Sequence, residues 1–279
     1  MLNKVELKSH QIGTVKFNNE YLNNELKKLH GIPFHTVYSE YALGTWRTSC
    51  LANKNGSFDD GLSYEYSGVA QITGVGEQFA YFISLIKKTF HWEYIKSIRF
   101  FSSKNNGMII PHRDYLEFKK GFTRLHIPIQ TDPLCLNSEQ NFIYHMKVGE
   151  IWLLEGRVPH SAGSFGVTEK LSIVIDFDPD CNLSFLFKDK QCYNPQRNTE
   201  IVIRKKFDNH CNDSMRRLHK KINNDNFNEI VRYLTKIHFF RDVKCTEIFN
   251  WLEEICDRAE NNLLKSHSIT MRKYFIGED

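Results

Sequence analysis

The apolar positions along the chain change spacing twice, and each change predicts a different kind of element. In the first 95 residues the pattern is mixed. A short strand-like run, Gly13-Thr14-Val15-Lys16-Phe17, is followed much later by a Gly/Asn/Asp-rich stretch from Asn53 to Gly76. Phe79, Phe82, Ile83, Ile86 and Phe90 then recur at the interval of an amphipathic helix. Gly74 and Gly76 precede that helix without the third glycine or the strand context of a phosphate loop, so they read as turn punctuation.

From residue 96 to 180 the pattern becomes a series of short β-rich runs: Ser97–Ser102, Met108–His112, Arg124–Gln130, Asn141–Met146, Glu150–Leu154 and Lys170–Phe177. Turn signals separate them at 105–107, 131–133, 147–149 and 164–166. Strands at this short spacing predict an antiparallel barrel or jelly roll. Beyond about residue 205 the period is helical again. Phe227, Ile230, Val231, Leu234 and Ile237 mark one helix, and Ile248, Trp251, Leu252 and Ile255 the next, with a polar turn at Arg241-Asp242 between them. This predicts an antiparallel helical pair. Residues 180–200, with Pro195, Gln196 and Asn198, read as a linker, which sets expected units at 1–200 and 201–279. The fold class expected is α+β with a mainly β core, an N-terminal helix and a C-terminal helical subdomain.

Composition narrows the picture. With 279 residues, 41% of them apolar and 13% aromatic, the chain can bury a large core. A net charge of +4, spread along the chain, gives no case for nucleic acid as a partner and suits small acidic substrates. The seven cysteines are odd in number and form no CxxC pair, as expected of reduced thiols. No export-type segment or membrane-length apolar run is present, so the expected address is the cytoplasm, with no membrane partner.

The chemistry concentrates in the β-rich region. His112-Arg113-Asp114 follows an apolar run, and His160 lies 46 residues past the Asp. Residues i and i+2 of a strand share a face, so His112 and Asp114 present an imidazole and a carboxylate to a common point. With His160 they make two nitrogens and one hard oxygen, the donor set of non-haem Fe(II) oxygenases, although zinc also accepts it. A lone His-x-Asp pair is often plain packing. The apolar lead-in, the spacing to His160 and a cation ten positions further on favour a metal.

That cation, Lys170, heads an apolar strand with Ser172 on the same face. Buried, it needs an anion, and the distal carboxylate of 2-oxoglutarate would serve. Exposed, it is an ordinary strand-edge lysine. Arg124 and His126 share another strand face and suit a carboxylate, although His126 also fits as a core histidine. Arg99 is a second carboxylate clamp or a surface arginine, and Trp46 closes the pocket or simply fills the core.

The stretches Ile109-Ile110-Pro111-His112-Arg113-Asp114, 144–152, His160-Ser161-Ala162 and 171–177 resemble the 2-oxoglutarate-dependent free-amino-acid hydroxylases of the L-proline 3-hydroxylase type. These are relatives of the aspartyl/asparaginyl β-hydroxylases. The likeness extends to 40–53 and to the C-terminal helices. It implies a double-stranded β-helix (a cupin-like jelly roll) that binds Fe(II) through His112, Asp114 and His160, with 2-oxoglutarate and O2 as cosubstrates. It implies Lys170, Ser172 and His126 for 2-oxoglutarate, and Arg99, Arg124 and Trp46 for the amino acid. The relatives usually carry Arg where this chain has Lys170, and Lys lacks the planar two-bond fork. The reaction implied is hydroxylation of an unactivated C–H of a free amino acid, L-proline or a cyclic analogue such as pipecolate. Two alternatives are a peptidyl Asp/Asn hydroxylase, which requires an open groove, and a metal-binding jelly-roll sensor without turnover. The C-terminal helices brace the barrel, mediate a homodimer, or both.

Overall fold

The computed structural model describes residues 4–36, 39–114, 120–179 and 181–277. Its centre is a ten-stranded, curved antiparallel sheet. In chain order the strands used below are β1 (His10–Thr14), β2 (Ala42–Asn53), β3 (Ile95–Ile109), β4 (Thr123–Gln130), β5 (Cys135–Glu139), β6 (Phe142–His145), β7 (Glu150–Leu154), β8 (His160–Ser164) and β9 (Lys170–Phe177). They hydrogen-bond in the order β1-β7-β4-β9-β3-β8-β5-β6, with β2 also pairing along β3. The first five of these with β2 form one wall. The end of β3 with β8, β5 and β6 forms the wall that faces it, which is the jelly roll expected from the short runs.

Alternation along β9 shows how the wall is built. All eight of its residues are buried. Leu171, Ile173, Ile175 and Phe177 point outward into the main apolar cluster. They pack there with Ile98 and Phe100 of β3, Leu125, Ile127 and Ile129 of β4, and the helices α1 (Asn19–Lys28) and α2 (Ala80–Thr89). Burying each such side chain contributes about 1.5–3 kcal/mol. Lys170, Ser172, Val174 and Asp176 point the other way, into the barrel. A strand buried on both faces yet polar on one carries function on that face, because burying those groups costs stability unless they find partners.

Two expectations are revised. Ser97–Ser102 and Met108–His112 are not separate strands: β3 runs unbroken through the residues read as a turn. Asn105 and Asn106 take positive φ (54° and 59°), and a Cβ on Gly107 would lie 2.1 Å from the Thr45 carbonyl oxygen, so only glycine allows β2 to approach there. The irregularity bends β3 from one wall into the other. The stretch read as a linker is anchored: Leu186 and Phe187 are fully buried in the main cluster, and Thr199–Glu200 pairs with Lys4–Val5.

The helices beyond residue 205 are α3 (Asn209–Arg216), α4 (Phe227–Phe240), α5 (Glu247–Arg258) and α6 (Asn262–Ile276), the first and last of them unanticipated from the pattern. Their apolar faces merge with Leu43, Met108 and Ile110 of the barrel into a single cluster. The Arg204 side chain ties this region to β6. It donates to the carbonyls of Asn141, His238, Arg241 and Val243, and pairs with Asp242. Among the described residues no helix is long and apolar enough to cross a membrane.

Candidate metal centre and the barrel interior

His112 and Asp114 lie just past the end of β3, and His160 opens β8. The backbones of His112 and His160 bond to each other in both directions, at 3.0 and 2.9 Å. The Asp114 N–H is held by the Gly156 carbonyl at 2.6 Å. This stitching brings one ligand atom from each of the three side chains to within 4.8 Å of the other two, as a metal site requires.

The two imidazoles are oriented by backbone carbonyls. His112 Nδ1 lies 2.8 Å from the Ile110 carbonyl oxygen, and His160 Nδ1 lies 2.9 Å from that of Val158. A carbonyl only accepts, so each Nδ1 carries the proton and each Nε2 turns its lone pair inward. Burial, then neighbouring His112, pushes the His160 pKa down to about 4, keeping it neutral and able to coordinate. Asp114 completes the set, with Oδ1 3.3 Å from His112 Nε2 and Oδ2 3.9 Å from His160 Nε2. Burial alone would raise its pKa, but Arg124 and the two histidines hold the carboxyl far below the usual range. Two imidazoles and one carboxylate, with the remaining directions open, fit Fe(II). The Tyr41 ring packs edge-on against His112 at 4.9 Å.

On one side of these three residues the interior holds a buried ionic relay. Arg124 donates from Nη1 to Asp114 Oδ2 and from Nε to Asp176 Oδ1, each at 2.7 Å. Asp176 also pairs with Arg99 and accepts from Ser63 at 2.9 Å and Ser97 at 3.1 Å. Arg124 and Arg99 outweigh burial and hold Asp176 at about 2. The two arginines named as carboxylate clamps thus play different parts. Arg124 touches the carboxylate of the candidate metal site itself. Arg99 is wholly buried, with Nη1 on the Gly61 carbonyl and its other branch on Asp176, one layer further from the candidate metal site. Its burial departs from a surface arginine.

On the other side lies Lys170. It is buried and bonds to two neutral acceptors, the Leu136 carbonyl at 3.1 Å and Asn137 Oδ1 at 2.5 Å. No carboxylate among the described residues pairs with it. Burial pushes its pKa down to about 8. Ser172 is next on the same face, opposite Phe101 and Pro128. His126 is half-buried, its Nε2 lies buried with no partner among the described residues, and burial, Arg124 and Lys170 drive its pKa to about 3. Phe101 sits edge-on to both His126 and Trp46, at 6.0 and 6.2 Å, so Trp46 joins the same wall. All nine residues singled out from the sequence face or border this one interior. The sequence reading missed Asp176 and Asn137, which sit mid-strand in runs that look apolar or neutral. Asp176 had a signal, since i−2 spacing places it on the Lys170 face.

Residues 16–179 match the model of the aspartyl/asparaginyl β-hydroxylase family, and residues 184–279 match that of the L-proline 3-hydroxylase C-terminal region. The chain is 32% identical over 273 residues to an L-proline cis-4-hydroxylase of Rhizobium meliloti (strain 1021), covering 97% of this chain and 96% of that protein. It is 29% identical over 278 residues to L-proline cis-3-hydroxylase 1 of Streptomyces sp, covering 97% and 96%. To L-proline cis-3-hydroxylase 2 of Streptomyces sp it is 28% identical over 272 residues, covering 94% and 93%.

Proposed function

The chain belongs to the aspartyl/asparaginyl β-hydroxylase family, and from that premise we propose that it is an Fe(II)- and 2-oxoglutarate-dependent hydroxylase of a free amino acid, L-proline or a close cyclic analogue. The observation that carries the reading is Lys170: a buried cation inside the barrel with no anion beside it among the described residues. Such a group is costly unless a ligand supplies the charge. A dicarboxylate that reaches the metal with its 2-oxo acid end supplies it.

His112, Asp114 and His160 would hold the iron. Bound iron, with 2-oxoglutarate and O2, supplies the oxidant for an unactivated C–H, with succinate and CO2 as coproducts. The chain's own residues position and exclude. Lys170 and Ser172 receive the distal carboxylate, and neutral His126 offers its ring N–H to the same cosubstrate. Arg124 bonds to Asp114 and would present a guanidinium edge to the carboxylate of the amino acid, with Arg99 and Asp176 fixing its orientation. Trp46 and Phe101 shield the chamber from water. Two cationic ends flanking one metal account for two small carboxylate-bearing molecules held side by side.

The identity of the amino acid rests on the relatives, which are L-proline hydroxylases. The test is incubation with Fe(II), 2-oxoglutarate and a panel of free amino acids. Succinate should form fastest with L-proline, together with hydroxyproline. Succinate formation indifferent to every free amino acid, yet stimulated by a peptide, would replace this reading with the peptidyl one.

A further inference from the structure

We propose that Asn137 is a further donor for the distal carboxylate of the cosubstrate beside Ser172, its side-chain amide and the Lys170 ammonium together forming a two-point clamp in place of a guanidinium fork. The proposal rests on the 2-oxoglutarate reading above and concerns how this chain recognises that molecule with a lysine.

Three observations on β5 and β9 support it. First, the orientation of the Asn137 amide is fixed. Lys170 Nζ lies 2.5 Å from Oδ1, and an ammonium has only donors, so the oxygen must face it and the NH2 takes the other branch. Second, that NH2 is buried and has no hydrogen-bond partner among the described residues. A buried amide donor without an acceptor is unfavourable, and a leucine would fill the same space without that cost. Third, the donor lies on the ligand side. Asn137 pairs with Ala162, and Glu139 pairs with His160, so Asn137 shares the inward face with the metal-binding histidine. Its neighbours Leu136 and Ser138 face the other way, toward Phe239 and His238 of α4. Ala162 is two residues along β8 from His160, about 7 Å, the reach of a five-carbon dicarboxylate whose other end is on the metal.

Lysine brings a charge but no planar pair of donors. Two of the three Lys170 N–H groups are taken by Leu136 and Asn137. The third, with the Asn137 NH2 beside it, restores two donors from two separate groups.

The test reads binding rather than turnover. Protein loaded with Mn(II) is titrated calorimetrically with 2-oxoglutarate and with pyruvate, which has the same 2-oxo acid end but no distal carboxylate. We expect Asn137→Leu to weaken 2-oxoglutarate roughly ten- to a hundredfold, the range of a hydrogen bond to a charged group, and to leave pyruvate unchanged. In a Lys170→Met background Asn137→Leu should still weaken 2-oxoglutarate, since the amide acts directly. In a Lys170→Arg background the loss should shrink, since the guanidinium supplies both donors. An Asn137→Leu affinity within about twofold of the parent overturns the proposal, as does an equal loss for pyruvate. So does a loss that vanishes in the Lys170→Met background, which would make Asn137 only a prop for the lysine. If the parent itself binds 2-oxoglutarate no better than pyruvate, the cosubstrate reading falls. If Lys170→Met weakens 2-oxoglutarate while Asn137→Leu does not, only the role of Asn137 falls.

Discussion

The proposed placement of Lys170 at the distal carboxylate makes cosubstrate affinity depend on pH, where an arginine would not. Burial lowers the Lys170 pKa from 10.5 to about 8 in the empty barrel. A bound carboxylate favours the charged form and raises the pKa again. Below pH 8 the ammonium is already present and affinity is flat. Above it, binding must first recharge the amine, and affinity falls about tenfold per pH unit until the bound-state pKa is passed. Between pH 7 and 9 the Kd for 2-oxoglutarate should therefore rise about tenfold, and by pH 9.5 about thirtyfold. The empty protein behaves in the opposite way. Its unfolded chain keeps this proton up to 10.5 and the folded one releases it near 8, so stability rises with pH across that window, by on the order of 3 kcal/mol at most. Calorimetric titration of the Mn(II)-loaded protein across this range, referenced to pyruvate at each pH, isolates the Lys170 contribution. Lys170→Arg should flatten the profile. A 2-oxoglutarate to pyruvate affinity ratio unchanged up to pH 9.5 would refute the assignment of Lys170 to the distal carboxylate.

Other perturbations have equally definite outcomes. Asp114→Ala should abolish metal binding and turnover while the protein still melts cooperatively, because Arg124 keeps Asp176 as its partner; a variant that retains metal would remove Asp114 from the donor set. Asp176→Asn breaks a buried pair with both Arg99 and Arg124 and should cost about 3–5 kcal/mol in denaturant unfolding; a loss under 1 kcal/mol would show that the relay is not holding the interior. The Asp176 carboxyl is depressed from 3.8 to about 2, so its contribution is complete above 3.8 and is lost as pH falls toward 2. Acid unfolding of Asp176→Asn should accordingly be shallower over that window than that of the parent. Arg204→Ala strands four backbone carbonyls around the start of β6 and the end of α4 and should cost about 3 kcal/mol or more; an unchanged melting temperature would mean that water replaces the guanidinium.

The chain discloses its candidate metal site more readily than the proposed recognition residues, for physical reasons. His112, Asp114 and His160 are chemically distinctive types whose spacing survives as a pattern, and Lys170 stands out by opening an otherwise apolar strand. β9 and β7 were bounded correctly because their ends carry turn residues and their outward positions are uniformly apolar. β2 was not apparent, since an inward face of Trp46, Thr48 and Cys50 against Thr45, Arg47, Ser49 and Leu51 mixes polar and apolar residues on both sides and gives no clean alternation. β8 was hidden for the same reason, being His-Ser-Ala-Gly-Ser. The turn at 105–107 was misread because Asn-Asn-Gly signals positive φ without saying whether the chain reverses or bulges, and β2 pairing along both sides of it decides for the bulge. Asn137 and Asp176 depend on partners more than thirty residues away, which no local period reveals.

The central claim is that iron in this barrel couples 2-oxoglutarate to hydroxylation of a free amino acid. The direct measurement is a turnover in isotopically heavy O2 with Fe(II), 2-oxoglutarate and L-proline, followed by mass spectrometry of both products. One heavy oxygen in the amino acid, one in succinate, and equal amounts of hydroxyproline and succinate are expected. Succinate without hydroxylated amino acid, or hydroxyproline formed equally well without 2-oxoglutarate, would contradict it.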